Sequence, residues 1–502
     1  MRSYSNPAAL FSPKVRSPER PKLTSFVSIT DHTPTTRADN GRGLQPRNGR
    51  GRWVNIYDRV PSSSRPTNKG GAGGGRKERN DVTMPSAAAL HVVVTGGAGQ
   101  IAYSLIPLIA RGLVFGPGAR VNLRLLDIPP SALALEGVAM EIQDSMYSAA
   151  LDGVLATTDE ATAFEGAQVA ILLGGFPRRP GMERGDLIGK NAGIMKRMGE
   201  ALERYACRNC KVLVVANPAP TNCTVLASHA PSIPRKNISC LSRLDHDRMA
   251  GMLLQEANRL LNTNDSEVSG GGGNGGSPRV CRLLGPADVR GVCVWGNHSN
   301  SQVPDASAVE FFVNGHWTPA ASVIRDTSWL NLGSNSAAHQ RLDADGEVVL
   351  GLAEAVRGRG AAVLDARKLS SAMSAANAIA SHLADWLVAP AKRTPAATGA
   401  GGATVVSMGV MSDGNPFGVP QGLFCSFPVH CRGDGEWTFA EDFLLKEEAG
   451  NQLSLSVKEL QEEKALVLVA LGGDAFEPSL PPPHSGASST NRCSSATPTS
   501  SL

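Results

Sequence analysis

The sequence predicts an α/β protein: a doubly wound parallel sheet of the Rossmann type, followed by an α+β catalytic domain. Three observations carry that expectation. Short apolar runs alternate with longer amphipathic stretches from Leu90 to Val215, as strands buried on both faces alternate with crossover helices. The first run, Leu90-His91-Val92-Val93-Val94, leads directly into a glycine turn, Gly96-x-x-Gly99-x-x-Ala102. The second run, Val121-Asn122-Leu123-Arg124-Leu125-Leu126, ends on an acid, Asp127. Strand, tight glycine turn, helix and an acid at the next strand tip together form a receptor for a dinucleotide.

The length of 502 residues accommodates two or three domains, and the 41% hydrophobic content is ordinary for a soluble chain. The 54 glycines and 33 prolines point to flexible additions. The net charge of +4 is unevenly placed. Residues 1–85 carry 16 Lys/Arg against 6 Asp/Glu, which leaves the remainder at −6. The basic excess therefore belongs to a leader and gives no reason to expect nucleic acid binding by the core. Residues 1–88 are rich in Arg, Ser, Pro, Thr and Gly and lack apolar periodicity, so we expect a disordered or transit-like leader. Nine cysteines in a chain this long are not a disulfide scaffold. Cys207-x-x-Cys210 has no second pair at zinc spacing, and no metal site is expected. No run approaches the ~18 apolar residues that span a membrane.

Taken in order, residues 89–240 are expected to form the dinucleotide-binding domain. A helix follows the glycine turn to about Arg111, and the loop Gly112 to Ala119 delays the second strand. A helix at about 132–147, a strand at 168–173, a helix at about 186–205 and a strand at 211–215 complete the alternation. Residues 241–476 are expected to form the second domain, interrupted by a Gly-rich insertion at 262–279. Its elements are a helix at about 247–261, strands at 292–295 and 309–313, and a long helical region at about 337–357. A helix from about Ser370 to Trp386, an antiparallel pair near 405–409 and 422–429, and a charged helix at about 455–469 follow. Residues 477–502 read as a disordered tail.

Glycines let a backbone approach a pyrophosphate, and the helix that follows offers N–H groups to the anion. That makes Gly96, Gly99, Gln100 and Ile101 candidate cofactor-binding residues. Asp127 can accept from the adenosine ribose hydroxyls and would repel a 2′-phosphate, which favours NAD over NADP. The same turn also suits short-chain reductases, but those need Tyr-x-x-x-Lys. None of Tyr4, Tyr57, Tyr103, Tyr147 or Tyr205 has a lysine four residues on.

Removing a hydroxyl proton while a hydride leaves the same carbon calls for a base near neutral pKa, which histidine supplies. His298, at the end of a strand-like run, is the candidate. Asp245 is the candidate partner on its other ring nitrogen. Arg248, three residues beyond Asp245 on one helix turn, can reach the same pocket. The loop Phe176-Pro177-Arg178-Arg179-Pro180-Gly181-Met182-Glu183-Arg184 supplies two further guanidinium forks, Arg178 and Arg184. Several forks in one pocket suit a doubly anionic substrate.

The set Thr95–Ser104, Pro177–Arg184, Asn217-Pro218-x-x-Thr221-Asn222, Leu244-Asp245-His246-x-Arg248 and Trp295-Gly296-Asn297-His298-Ser299, in this order, resembles malate dehydrogenase of the cytosolic type, within the lactate/malate dehydrogenase superfamily. Arg367–Ala376 and Ser412-Asp413-Gly414-Asn415-Pro416 extend the resemblance, which covers about residues 89–470. It implies NAD-dependent interconversion of (S)-malate and oxaloacetate by a homodimer, cytoplasmic by type. By position it implies that His298 moves the proton and Asp245 orients it. Arg248 would hold the near carboxylate, Arg178 the far one, and Arg184 would polarise the carbonyl. Asn217 would contact substrate and nicotinamide, Asn191 and Val215 would help hold NAD, and Ser370 or Ser371 would line the substrate pocket. Leu135–Glu141 also resembles the NADP-linked chloroplast branch, in which case the leader would be a transit peptide. Asp127 and a leader without cysteines depart from that branch. A catalytically silent NAD-binding protein is the remaining alternative.

Overall fold

The structure, a computed structural model of the chain, describes residues 52–55, 89–147, 149–177, 182, 184–268, 283–331, 341–342, 348–389 and 405–471. A short strand, β1 (Arg52–Asn55), comes from the stretch expected as leader. Six strands of the first half follow: β2 (Leu90–Thr95), β3 (Val121–Leu126), β4 (Leu151–Thr157), β5 (Val169–Leu172), β6 (Lys211–Val214) and β7 (Ile238–Cys240). They lie parallel in the order β4-β3-β2-β5-β6-β7, and β1 pairs antiparallel on the outer edge of β4. Helices α1 (Gln100–Ala110), α2 (Ala132–Asp144), α3 (Glu160–Phe164), α4 (Arg184–Tyr205) and α5 (Ala219–His229) make the crossovers. This is the expected doubly wound α/β sheet.

The β-branched run of β2 is buried on both faces, as covered parallel strands require. Val92 and Val94 join a core containing Leu105, Ile109, Leu383 and Trp386 on one side of the sheet. Val93 joins Met195, Leu202 and Leu226 in a second core on the other. Chain order reverses between β2 and β5, which opens a crevice at their carboxyl ends, where doubly wound folds bind ligands.

The second half begins with α6 (Arg243–Val268) and then β8 (Val289–Arg290), β9 (Cys293–Trp295), β10 (Val303–Asp305), β11 (Glu310–Val313) and β12 (His316–Pro319). Short helices α7 (Ala320–Val323) and α8 (Thr327–Leu330) precede a two-stranded pair, β13 (Arg341–Leu342) with β14 (Val348–Val349). Then come α9 (Leu352–Arg367), α10 (Met373–Leu387), β15 (Val405–Met411), β16 (Phe424–Cys431), β17 (Trp437–Phe439) and α11 (Glu447–Ala470). The expected antiparallel pair is β15–β16. It does not stand apart: β15 meets β7 antiparallel at Gly409 and Cys240, and the main sheet runs unbroken to ten strands. A third core, with Met249, Leu253, Val294, Phe311 and Val356, fills the space between α6, α9 and the small strands.

Two expectations are corrected. Of the helical region expected at about 337–357, the described residues form a strand pair, Arg341–Leu342 with Val348–Val349, and the start of a helix over Leu352–Arg367. The sequence between the strands contains Asp345-Gly346, a pair that disfavours a continuous helix there. β4 was not expected, because Asp152 and Gly153 break its apolar pattern. It forms because pairing with β3 and burial of Leu151, Val154 and Leu155 outweigh intrinsic preference. The Gly-rich tract from 269 lies outside the described residues, while α6 extends through 268. No helix among the described residues is long and apolar enough to cross a membrane.

Candidate active site

The dinucleotide side of the crevice is built from main chain. Gly96 has φ +66°, and a Cβ there would stand 3.0 Å from the backbone of Gly174 at the end of β5. Glycine therefore permits β2 and β5 to close at the switch point, where Gly174 N–H also donates to Thr95 Oγ1 at 3.1 Å. Gly99 and Gln100 are exposed, and Ile101 is half-buried. α1 starts at Gln100, so its first N–H groups have no partners within the helix. Asp127, at the tip of β3, accepts from Ala98 N–H at 3.0 Å and from Ile128 N–H at 2.8 Å. The acid thus fastens the glycine turn while staying partly exposed. An open turn, a helix N-terminus and an acid fixed beside them fit the adenosine diphosphate half of NAD.

The chemical side is a chain of buried charges. Asp245 lies in the first turn of α6, where the helix N-terminus favours a carboxylate. It is 1% exposed. His298 Nδ1–H donates to Asp245 Oδ2 at 2.5 Å, and Arg248 Nη1 donates to Asp245 Oδ1 at 3.0 Å. Arg248 Nη2 also reaches Ser371 Oγ at 3.3 Å. Burial disfavours the Asp245 charge, but His298 and then Arg248 outweigh it and hold the carboxyl below its ordinary pKa. The Asp245 carboxylate pushes the His298 pKa up from 6.5, against burial and the Arg248 charge. Since Nδ1 faces Asp245, Nε2 is left for a substrate. The side chain of His298 is one-fifth exposed, enough to be reached.

The loop bearing His298 is held from several directions. Trp295 is fully buried, packs edge-on against Phe417 at 4.8 Å and donates its indole N–H to Asp305 at 3.2 Å. Gly296 has φ +89°, and a Cβ there would stand 2.3 Å from Ser456 Oγ. The Asn297 N–H donates to that same oxygen at 2.7 Å. Ser456 and its neighbours on α11 were not singled out in the sequence. A serine and two glutamates at helical spacing on one face of the last helix were the available signal.

The remaining expected site residues divide. Val215 and Asn217 lie on the turn after β6, and Asn217 is exposed. Asn222 Nδ2 donates to Ala216 O at 2.8 Å and fixes that turn. Asn191 is fully buried, its Oδ1 accepts from Phe176 N–H at 2.7 Å and its Nδ2 donates to Phe176 O at 3.2 Å. Its amide therefore anchors the start of the arginine loop. Arg178 lies outside the described residues. Arg184 opens α4, but its side chain lies outside them too. Among the described residues no group of three His, Cys, Asp or Glu is placed to hold a metal.

Fold and cradle together are those of a dinucleotide-binding oxidoreductase. Residues 90–239 match the lactate/malate dehydrogenase NAD binding domain, and residues 284–469 match the lactate/malate dehydrogenase alpha/beta C-terminal domain. A malate dehydrogenase of Nicotiana tabacum is 42% identical over 382 residues, which span 76% of this chain and 98% of that protein. A cytoplasmic malate dehydrogenase of Gallus gallus is 42% identical over 376 residues, 75% of this chain and 96% of that one. Among solved structures, malate dehydrogenase from Naegleria fowleri superposes with a TM-score of 0.61 at 35% identity, covering 77% of this chain and all of that one. Trichomonas vaginalis lactate dehydrogenase in complex with NADH and oxamate gives 0.59 at 31% identity, over 77% of this chain and 100% of that one. This chain belongs to the lactate/malate dehydrogenase family.

Proposed function

We propose that the protein is an NAD-dependent malate dehydrogenase that interconverts (S)-malate and oxaloacetate. The observation that carries the mechanism is the buried Asp245 carboxylate shared between His298 and Arg248. Asp245 accepts Nδ1–H, which keeps the Nε2 lone pair of neutral His298 facing the substrate. In malate oxidation Nε2 takes the hydroxyl proton, and Asp245 stabilises the imidazolium that forms. In oxaloacetate reduction the protonated Nε2 gives that proton to the carbonyl oxygen. NAD, when bound, supplies the two-electron acceptor at its nicotinamide ring. Arg248 holds the carboxylate beside the reacting carbon, Arg178 the far carboxylate, and Arg184 polarises the carbonyl.

Gly96, Gly99, Gln100 and Ile101 hold the pyrophosphate of NAD, and Asp127 the adenosine ribose. Val215 and Asn217 border the nicotinamide, and Asn191 contributes by anchoring Phe176 at the loop entrance. Both malate and lactate dehydrogenases superpose on the chain, so the fold leaves the substrate to the loop. The relatives at 42% identity are malate dehydrogenases, and Arg178 supplies the second carboxylate fork that malate needs and lactate does not. We infer a homodimer and a cytoplasmic enzyme, in line with relatives named cytoplasmic. Import into an organelle by the basic leader is the competing outcome of a localisation experiment.

His298→Asn tests the reading. Oxaloacetate reduction should fall by roughly 10³-fold or more while NADH still binds. Turnover at the wild-type rate would remove His298 from the chemistry.

A further inference from the structure

The last helix, α11, presents Ser456, Glu459 and Glu463 on one face to the His298 loop. Glu459 Oε2 accepts from Asn297 Nδ2 at 2.9 Å and from Ser299 Oγ at 2.5 Å, so it grips the residues on either side of the histidine. Glu463, one turn further, accepts from Asn297 Nδ2 at 3.2 Å through one carboxylate oxygen. Its other oxygen accepts from the hydroxyl of Thr221. Thr221 belongs to the first turn of α5, four residues after Asn217. Glu463, Asn297 and Thr221 are each no more than 3% exposed.

A buried carboxylate is unfavourable unless its oxygens are hydrogen-bonded, and bonds to an ionised acceptor are the stronger kind. Glu463 therefore does more than fill space. It joins two segments that approach the crevice from different domains: the turn after β6, which carries Asn217, and the loop after β9, which carries His298. We propose that Glu463 is a positioning residue for proton transfer, holding His298 in place through Asn297 and fixing it relative to the Asn217 turn through Thr221.

The proposal rests on His298 being the proton-transfer group. Proton transfer demands a heavy-atom approach near 3 Å, and a slackened loop lowers the fraction of complexes that achieve it. The carboxylates of the substrate are held by arginines elsewhere, so loss of Glu463 should act on turnover and leave binding largely intact.

The test uses the full chain: wild type, Glu463→Ala, Glu463→Gln and Thr221→Val. Steady-state kcat and KM for oxaloacetate, NADH binding by fluorescence and Tm are measured for each. Glu463→Ala should lower kcat by about tenfold to a hundredfold with little change in KM or NADH binding. Glu463→Gln should recover most of the loss. Its amide oxygen can accept from Asn297, and its amide N–H can donate to Thr221 Oγ once that hydroxyl turns. Thr221→Val removes one of the two links and should give a smaller fall in kcat. If Glu463→Ala does not fold, Thr221→Val decides: wild-type kcat in that variant overturns the proposal. Unchanged kcat in Glu463→Ala, or a Gln variant as impaired as Ala, also overturns it. A wild type inactive on oxaloacetate contradicts the functional reading and the proposal with it. An active wild type with an unimpaired Ala variant contradicts the proposal alone.

Discussion

His298 and Asp245 are separated by 53 positions in the chain and stand 2.5 Å apart, with the aspartate buried and the histidine within reach of solvent. The Asp245 charge raises the His298 pKa above 6.5, and burial and Arg248 oppose it. Oxidation of malate needs the neutral ring, so kcat/KM for malate should rise with pH through a midpoint above 6.5. Reduction of oxaloacetate needs the protonated ring and should fall through the same midpoint. In Asp245→Asn the midpoint should drop to 6.5 or below, and turnover should fall by roughly 10²- to 10⁴-fold. Opposed pH profiles for the two directions check the assignment. Profiles that move together would contradict it.

On the proposed reading, Arg178 sets the choice between a dicarboxylate and a monocarboxylate. Arg178→Gln should lower the ratio of oxaloacetate to pyruvate kcat/KM by on the order of a hundredfold, because a charged carboxylate is then left without its fork. A ratio that stays at the wild-type value would assign the far carboxylate to another residue.

Asp127 Oδ2 accepts the Ala98 N–H at 3.0 Å and fastens the glycine turn, and the proposed function gives the same carboxylate the ribose. Asp127→Ser keeps a hydrogen-bond acceptor and removes the charge. The NADPH/NADH ratio of kcat/KM should rise by about tenfold or more, the repulsion of a 2′-phosphate being gone. An unmoved ratio would count against the ribose contact.

Two buried histidines, His246 and His382, take no part in the proposed chemistry. Burial, helped by the Arg243 charge, lowers His382 to about 3 and His246 well below 6.5. Both are held neutral in the fold, with hydrogen bonds to Ser239 and Ser407. The unfolded chain takes up these protons near pH 6.5, whereas folded His382 does so only near 3. The His382 contribution is thus complete above 6.5 and is lost as pH falls from 6.5 toward 3, and the His246 contribution also falls as pH drops below 6.5. For His382 the slope is about 1.4 kcal/mol per pH unit. His382→Asn should flatten the fall of Tm between about pH 6.5 and 4 relative to wild type. Parallel curves would place the acid sensitivity elsewhere.

The dinucleotide half was legible because its chemistry is local. Strand, Gly96, Gly99, α1 and Asp127 follow one another within forty residues, and each leaves a residue-type signature. His298, Asp245 and Arg248 were legible as residue types, and the fold supplied their contact. What escaped the sequence is non-local. β4 is made by its pairing with β3, and β15 joins the main sheet through β7. Glu459 and Glu463 look like the solvated face of a charged helix until Asn297 and Thr221 are brought against them. The bonds between the Asn191 amide and the Phe176 backbone are likewise non-local, set by the packing of α4 on the loop after β5.

The measurement that bears most directly on the account is initial-rate reduction of oxaloacetate and of pyruvate by the full chain, each with NADH and with NADPH. Rapid turnover of oxaloacetate with NADH, and little with pyruvate or NADPH, is the predicted result. Preference for pyruvate would contradict the dicarboxylate site, preference for NADPH would contradict the role of Asp127, and no turnover in protein that binds NADH would contradict the proton-transfer role of His298.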